Sequence, residues 1–204
     1  MQHRHRRALV ALALITSMSA AGIGTGAPAS AAAPAPGTER AVTAARAGNS
    51  HANAAVAWNG SVYLVVWEEH FANGDPAAIF GARVSPSGTV LDPNGFRIST
   101  GDSDGAPQLA PAVAAGNGNF MVVWVDAPEG TYTDLDAAIV GGNGTIVRSE
   151  WSFRHVDNGQ YDPSIAWNGS RYLVTWEDGP DPSDPDIFAA RAYADGTSYH
   201  GCSY

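Results

Sequence analysis

Acidic side chains gather just beyond three regularly spaced tryptophans, and they are the groups best suited to bind a ligand. Glu69, Asp126 and Asp178 each stand two residues after one of these tryptophans. Because long loops follow them, we predict that these three carboxylates bind a ligand at the surface. Trp151 stands outside the spacing of the other tryptophans, so its ring is predicted either to contact the ligand or to belong to the core.

A second set of carboxylates suits a metal ion. Carboxylates clustered on loops are the ligands that Ca²⁺ prefers, since it binds several oxygen atoms in a flexible geometry. Asp102-Ser103-Asp104-Gly105 resembles half of a calcium-binding loop, although the complete spacing with a distal Glu is missing. One hypothesis is therefore a calcium site, and the alternative is a solvated acidic rim. The predicted calcium ligands are Asp134, Asp136, Asp181, Asp184 and Asp186.

The sequence contains little evidence of catalytic groups. It contains no G-x-S-x-G nucleophile motif and no H-E-x-x-H zinc motif. With 20 Asp and Glu residues, some pair will lie at the separation that glycosidases use, so proximity alone decides nothing. We therefore expect a binding protein rather than an enzyme. A hydrolase such as a glycosidase, with loop carboxylates as its catalytic groups, is the alternative.

A threefold repeat positions these acidic segments. Residues 54–67 read AAVAWNGSVYLVVW, residues 112–124 read AVAAGNGNFMVVW, and residues 164–176 read SIAWNGSRYLVTW. The tryptophans that end the three copies are 57 and 52 residues apart. Periods of this length, with room for four strands in each, are typical of the blades of a β-propeller.

Short turns with glycine recur at matching places in each repeat and indicate antiparallel hairpins. Asn-Gly and Asp-Gly pairs favour type I′ turns, because these residues tolerate positive φ. The strands between the turns are apolar at nearly every position, which requires cover on both faces. A propeller provides that cover, whereas a β-sandwich, the alternative fold, leaves its outer faces in water. The turns are Asn59-Gly60, Ser87-Gly88, Asn117-Gly118, Asn143-Gly144, Asn168-Gly169 and Asp195-Gly196.

We therefore predict an all-β, β-propeller-like fold with three repeats of four-stranded antiparallel blades, the last of them incomplete. The third repeat stops where its fourth strand would begin, and residues 40–45 are a candidate for that closing strand. Propellers generally have about four to eight blades. Two hypotheses follow: a homodimer that completes a six-bladed ring, or a truncated fragment of a longer repeat protein without a function of its own.

The N-terminal segment is typical of a secretory signal peptide. Arg4, Arg6 and Arg7 precede a short apolar run, and an A-x-A cleavage pattern ends at Ala31. We divide the chain into a signal peptide (1–31), a linker rich in Ala, Pro and Gly that contains the candidate closing strand (32–50), and a repeat domain (51–204). The protein is expected to be secreted and extracellular.

The charge of the chain excludes some partners. The whole chain has a formal net charge of −9 and no lysine, and three of its 11 arginines belong to the predicted signal peptide. Such an acidic surface repels phosphate groups, so we expect neither nucleic acid nor a membrane as a partner. Cys202 is the single cysteine, so no internal disulfide can form.

The pattern AVAWNG-x-x-YLVVWE, followed after a loop by DIFAAR and DGT, resembles repeats of secreted or surface proteins of bacteria that are grouped with TolB and WD40-like β-propellers. The resemblance covers residues 52–197 and implies a propeller but no catalytic residue. The second repeat departs from it, because Ala115 stands where Trp58 and Trp167 stand. The expected function is a non-enzymatic binding module for a protein or carbohydrate ligand, which uses the face that carries the long loops.

Overall fold

The computed structural model describes residues 39–43, 48–101, 105–130, 132–181 and 183–199. These residues form twelve β-strands, and every pair of neighbouring strands is antiparallel. The strands are β1 (Ser50–Trp58), β2 (Tyr63–His70), β3 (Ala78–Val84), β4 (Phe96–Arg97), β5 (Gln108–Gly116), β6 (Asn119–Asp126), β7 (Asp134–Val140), β8 (Ile146–Arg154), β9 (Gly159–Trp167), β10 (Tyr172–Gly179), β11 (Asp186–Ala192) and β12 (Ser198–Tyr199).

The strands form three sheets of four, which we call blade 1 (β1–β4), blade 2 (β5–β8) and blade 3 (β9–β12). Within each blade the strands follow their order in the chain, so each blade is an antiparallel meander. The first strands, β1, β5 and β9, contact one another, so they lie innermost and the fourth strands lie outermost. The prediction of an all-β, propeller-like fold with four-stranded blades is confirmed.

Blade 2 is buried on both faces, which explains why its strands are apolar at nearly every position. Phe120, Val122 and Trp124 of β6 pack towards blade 1, whereas the alternate residues Met121 and Val123 pack towards blade 3. All five side chains are fully excluded from solvent. Burying a large apolar side chain stabilises a fold by about 1.5–3 kcal/mol. The interfaces between blades are therefore the main cores of the molecule.

The Asn-Gly turns are tight, but only one has the predicted type I′ geometry. Asn117 and Gly118, with φ values of 53° and 81°, are the whole loop between β5 and β6. In blades 1 and 3 four residues separate the strands, and only the glycine of the pair has a positive φ. Asn59 instead accepts hydrogen bonds through its side chain from the backbone N–H groups of Ser61 and Val62. The type I′ prediction is wrong for these two blades, because a longer loop lets the asparagine cap the turn.

The prediction that the last blade is incomplete is also wrong. β12 pairs with the end of β11 and occupies the outer edge of blade 3. The chain reverses at the predicted Asp195-Gly196 turn, where the Asp195 carboxylate accepts hydrogen bonds from the N–H and the hydroxyl of Thr197. Two residues are enough to complete the blade, and β4 of blade 1 is equally short.

The candidate closing strand does not pair in the part that is described. Residues 39–43 are not in a strand, and the next four residues lie outside the described ranges. Val42 packs against an apolar cluster on blade 1 that includes Trp67 and Phe80. This segment therefore covers part of the outer face of blade 1 rather than extending blade 3.

Three other sequence predictions fall outside the described residues. They concern the signal peptide (1–31), most of the linker (32–50) and Cys202. No helix among the described residues has the length and apolar character required to cross a membrane.

Candidate functional site

The long loops lie together at one edge of the blades and border a cleft of about 1140 Å³. One side of the cleft is the loop between β2 and β3, with Gly74 and Pro76. The other side is formed by blade 2 where β6 ends, β7 begins and β8 ends. Carboxyl groups dominate the polar lining, together with His155 and the half-exposed ring of Tyr132. Its carboxylates are Asp126, Glu129, Asp134, Asp136 and Asp157.

Two of the three predicted ligand-binding carboxylates are held inside their own blades. Glu69 accepts a hydrogen bond of 3.0 Å from the indole N–H of Trp67, and Asp178 accepts one of 3.1 Å from Trp176. The acid follows the tryptophan by two residues, so both side chains lie on the same face of the strand. Both carboxylates are almost fully buried, and neither lines the cleft. This arrangement gives Glu69 and Asp178 a structural role.

Asp126 occupies the same repeat position in blade 2 but is linked differently. Its carboxylate accepts a hydrogen bond from the side-chain amide of Gln108, whose carbonyl oxygen accepts one from the indole N–H of Trp124. Gln108 therefore stands between the tryptophan and the acid. Asp126 lines the cleft and lies directly opposite Asp134 on the neighbouring strand. Of the three predicted carboxylates, it is the one that reaches the candidate site.

Asp134 and Asp136 point into the cleft from the same face of β7. Asp134 Oδ2 lies 2.6 Å from Nδ1 of His155, while its Oδ1 is buried and has no hydrogen-bond partner among the described residues. Asp136 lies directly opposite Trp124 on β6 and is buried. A buried carboxyl oxygen without a protein partner is costly, and it indicates a place where a ligand or water binds.

Asp136 departs from the repeat that builds the other blades. The residues directly opposite the equivalent tryptophans are Phe80 in blade 1 and Phe188 in blade 3, and their rings lie against those tryptophans. Blade 2 thus replaces a packing aromatic with an acid at the bottom of the cleft. An alignment of the three β-strand segments AIFGARV, DLDAAIV and DIFAARA would have revealed this substitution.

Trp151 does not line the cleft. Of the two roles predicted for its ring, the structure supports packing in the core. The ring is partly buried in the interface between blades 2 and 3, and the guanidinium of Arg148 lies 3.9 Å from its centroid. The turn at Gly196 of blade 3 packs against the same ring. The geometry therefore assigns Trp151 to packing between blades.

The predicted calcium ligands are divided between two blades. Asp134 and Asp136 lie on blade 2, whereas Asp181, Asp184 and Asp186 belong to the loop and strand at the top of blade 3. Asp181 accepts hydrogen bonds from the N–H and hydroxyl of Ser183, which lower the pKa of its carboxyl group and order its own loop. Within the described ranges, no three His, Cys, Asp or Glu side chains are arranged to hold a metal ion. Asp102 and Asp104 lie outside those ranges.

Glu68, a buried acid of β2 that contacts the inner strands β1 and β5, was not singled out from the sequence. Each inner strand has a bulge with positive φ at the same place, at Asn53, Ala110 and Asp162. The bulge turns the N–H of Ala110 to Glu68 Oε1, which also accepts a hydrogen bond from Asn53 Nδ2, both at 2.6 Å. His70 Nε2 lies 2.8 Å from the other carboxylate oxygen.

Glu68 therefore joins blade 1 to blade 2. Burial acts to raise the pKa of the Glu68 carboxyl group, but the hydrogen bonds from Asn53, Ala110 and His70 outweigh it, so the pKa lies below 4.5. Glu68 is ionised at neutral pH, and both of its carboxylate oxygens have partners within the protein. The contacts describe a structural junction and not a ligand site.

An ion pair within blade 1 joins the third strand to the loop that follows it. Arg83 donates hydrogen bonds of 2.8 and 2.9 Å to the two carboxylate oxygens of Asp92. The hydrogen bond to Asp92 raises the pKa of Arg83, and the same bond lowers the pKa of Asp92.

Two glycoside hydrolases have similar structures. An α-L-arabinofuranosidase from Lactobacillus brevis matches with a TM-score of 0.53 and 15% identity, over 74% of this chain and 55% of that chain. A family 117 glycoside hydrolase from the marine bacterium Zobellia galactanivorans matches with a TM-score of 0.51 and 8% identity, over 75% of this chain and 56% of that chain. The present chain thus spans a little more than half the length of both. No protein-family model and no curated protein matches the sequence. At these identities the likeness establishes the propeller-like fold.

Proposed function

We propose that the chain acts on carbohydrate as a glycoside hydrolase, with Asp134 and Asp136 as its catalytic carboxyl groups. The observation that carries this proposal is the acid at position 136, where the other two blades have phenylalanine. A buried carboxyl group costs stability relative to an apolar side chain, so its presence favours a role in function. This reaction class replaces a non-enzymatic binding module as the leading hypothesis.

The spacing of the two acids suits hydrolysis with inversion. Residues two apart on a strand are separated by about 6.5–7 Å, and their side chains stand on the same face. Inverting glycosidases place their two carboxyl groups about 6.5–9.5 Å apart, which leaves room for the attacking water. The Cα atoms of Asp134 and Asp136, two residues apart on β7, are therefore separated by about the distance that an inverting pair requires.

The surroundings of the two acids suggest different roles. His155 fixes one oxygen of Asp134 and leaves the other, Oδ1, unpaired, so Asp134 is suited to hold and activate the attacking water. Asp136 is buried directly opposite Trp124 on the neighbouring strand, and it supplies the second carboxyl group that hydrolysis with inversion requires. Asp136 is therefore assigned as the acid that protonates the leaving oxygen.

The cleft is large enough for a sugar unit. Ligand sites commonly have volumes of about 300–1,000 Å³, and this cleft is of that order. Tyr132 is half-exposed where it lines the cleft, so part of its side chain is accessible to a sugar. The two similar structures, an arabinofuranosidase and a family 117 glycoside hydrolase, support the choice of reaction class. We place the activity outside the cell, in keeping with the signal peptide predicted for residues 1–31.

The test is hydrolysis of a panel of nitrophenyl glycosides that includes an α-L-arabinofuranoside, with release of reducing sugar from plant and algal polysaccharides measured in parallel. Positioned acid–base groups contribute about 10²–10⁴-fold to a rate. Asp134→Asn and Asp136→Asn should therefore each lower kcat/KM by at least about 100-fold. Glu177→Gln, a change in an acid of blade 3 outside the cleft, serves as the control and should leave the rate unchanged.

Turnover that survives both Asp134→Asn and Asp136→Asn would refute the assignment of the site. A second candidate function, carbohydrate binding without hydrolysis, is favoured by the exposed ring of Tyr132 at the cleft. Saccharide binding by the wild type that Tyr132→Ala weakens, with no turnover of any substrate in the panel, would support this second function instead.

A further inference from the structure

We propose that the free faces of blades 1 and 3 bind each other between two copies of this chain, which closes a ring of six blades. The proposal rests on a comparison of equivalent side chains, which are buried where two blades meet and exposed on the two faces that have no neighbouring blade. It is independent of the chemistry proposed for the cleft, and its test does not require any activity.

The free face of blade 1 exposes side chains that its neighbours bury. Tyr63 is 39% exposed, whereas Phe120 and Tyr172, at the same place in blades 2 and 3, are completely buried. In those blades the position packs against the preceding blade. Val56 and Trp58, on the same face of blade 1, are 59% and 42% exposed. Val42 and Phe71 cover the neighbouring cluster around Trp67 on this face, and the part formed by Val56, Trp58 and Tyr63 remains exposed. This part of blade 1 is therefore available to a preceding blade.

The free face of blade 3 shows the complementary pattern. Ile187 is 72% exposed, whereas Ile79 and Leu135, its equivalents in blades 1 and 2, are completely buried. Leu173 is 46% exposed, and its equivalents Leu64 and Met121 are likewise buried. In blades 1 and 2 these positions pack against the following blade. Blade 3 is therefore built to receive a following blade.

The turns between third and fourth strands give an independent indication. Gly144 of blade 2 lies against the Arg83 guanidinium of blade 1, and Gly196 of blade 3 lies against the Trp151 ring of blade 2. Each of these glycines thus touches the preceding blade. The equivalent Gly88 of blade 1 has open space beside it. The open space marks the place of a blade that would precede blade 1.

A second copy of this chain carries both kinds of face, so it fits both faces at once. The face of blade 3 is of the kind that packs on the next blade, and the face of blade 1 is of the kind that packs on the preceding blade. Two copies joined head to tail in this way satisfy all four free faces and give six blades, within the range of about four to eight that propellers adopt.

The test is the mass in solution of the full chain, measured by size-exclusion chromatography with light scattering and by sedimentation velocity. The wild type is expected at twice the mass of the chain, and Val56→Glu is expected at the mass of one chain. Val147→Glu is the matched control, since Val147 is 60% exposed but lies on β8 of blade 2, whose two faces are already covered. It should keep the double mass.

Ile187→Glu, on the opposite free face, should give single chains as Val56→Glu does. Circular dichroism of the variants checks that the fold is unchanged, which is expected because the substituted side chains are exposed. Three results would each overturn the proposal: a wild type of single mass at up to about 100 µM, a double mass that survives Val56→Glu, or a series of larger assemblies in place of a closed pair.

Discussion

Replacing Glu68 by glutamine should weaken the junction between blades 1 and 2. The Glu68 carboxylate accepts hydrogen bonds from the side chain of Asn53 and from the backbone N–H of Ala110, and His70 lies 2.8 Å from its second oxygen. Glutamine has nearly the same shape and retains one acceptor oxygen. The substitution therefore removes the charge while it leaves the packing in place.

The size of the effect follows from the number of contacts. A hydrogen bond to a charged group contributes about 1.5–3 kcal/mol to stability, and one between neutral groups about 0.5–1.5 kcal/mol. Losing about 0.7–1 kcal/mol at each of the three contacts gives a decrease of about 2–3 kcal/mol in the free energy of unfolding. For a chain of this size the melting temperature should fall by roughly 4–12 °C.

The pH dependence gives this prediction a second readout. Because the pKa of Glu68 in the folded protein lies below 4.5, its contribution is fully present above pH 4.5 and is lost as the pH falls through the folded-state value. The stability difference between wild type and Glu68→Gln should therefore be largest near neutral pH and should shrink in acid.

Urea unfolding followed by tryptophan fluorescence at several pH values measures this difference. Glu177→Gln is the control, since Glu177 is the equivalent residue of blade 3 and is only half-buried. It should change the free energy of unfolding by less than about 0.5 kcal/mol. An equal loss in both variants, or a difference that does not vary with pH, would refute the role assigned to Glu68.

Two further predictions concern the contact between blades 2 and 3. Burial raises the pKa of Tyr172 to about 12, whereas its value in the unfolded chain is 10, so this group should lower the stability by about 1.4 kcal/mol per pH unit between those two values. Tyr172→Phe should remove that slope in alkaline unfolding titrations, and an unchanged slope would contradict it. Gly116→Ala places a methyl group 2.6 Å from the ring of Trp167 and the hydroxyl of Tyr172, so it should cost about 1–3 kcal/mol in thermal unfolding. Wild-type stability in this variant would show that the contact is looser than described.

The sequence was informative wherever the repeat keeps its pattern. Tyr63, Phe120 and Tyr172 each stand four residues before one of the repeated tryptophans. The strands that they begin are apolar at nearly every position, so each strand needs a neighbouring sheet on both faces. The blades and their order follow from that requirement. The bounds of β12 did not follow, because a strand of two residues has too little sequence to show a pattern.

The candidate site was harder to predict because burial, not residue type, separates structural from functional acids. Glu69 and Asp178 were expected on loops, but β2 and β10 continue past the tryptophans, and the indole N–H groups take up both carboxylates. Asp136 was grouped with calcium ligands, although its distinguishing feature is the phenylalanine at the same position in the other blades. Glu68 receives its partner from a bulge in another blade, which no local pattern reveals.

Replacing Asp136 by phenylalanine, the residue at this position in the other two blades, tests most directly the claim that Asp136 serves function rather than packing. Asp136→Phe, measured by thermal unfolding and by hydrolysis of the glycoside panel, should keep or raise the melting temperature, because a phenylalanine lies beside the tryptophan in blades 1 and 3. The same variant should lose turnover completely. A large fall in melting temperature, or retention of turnover, would contradict the account.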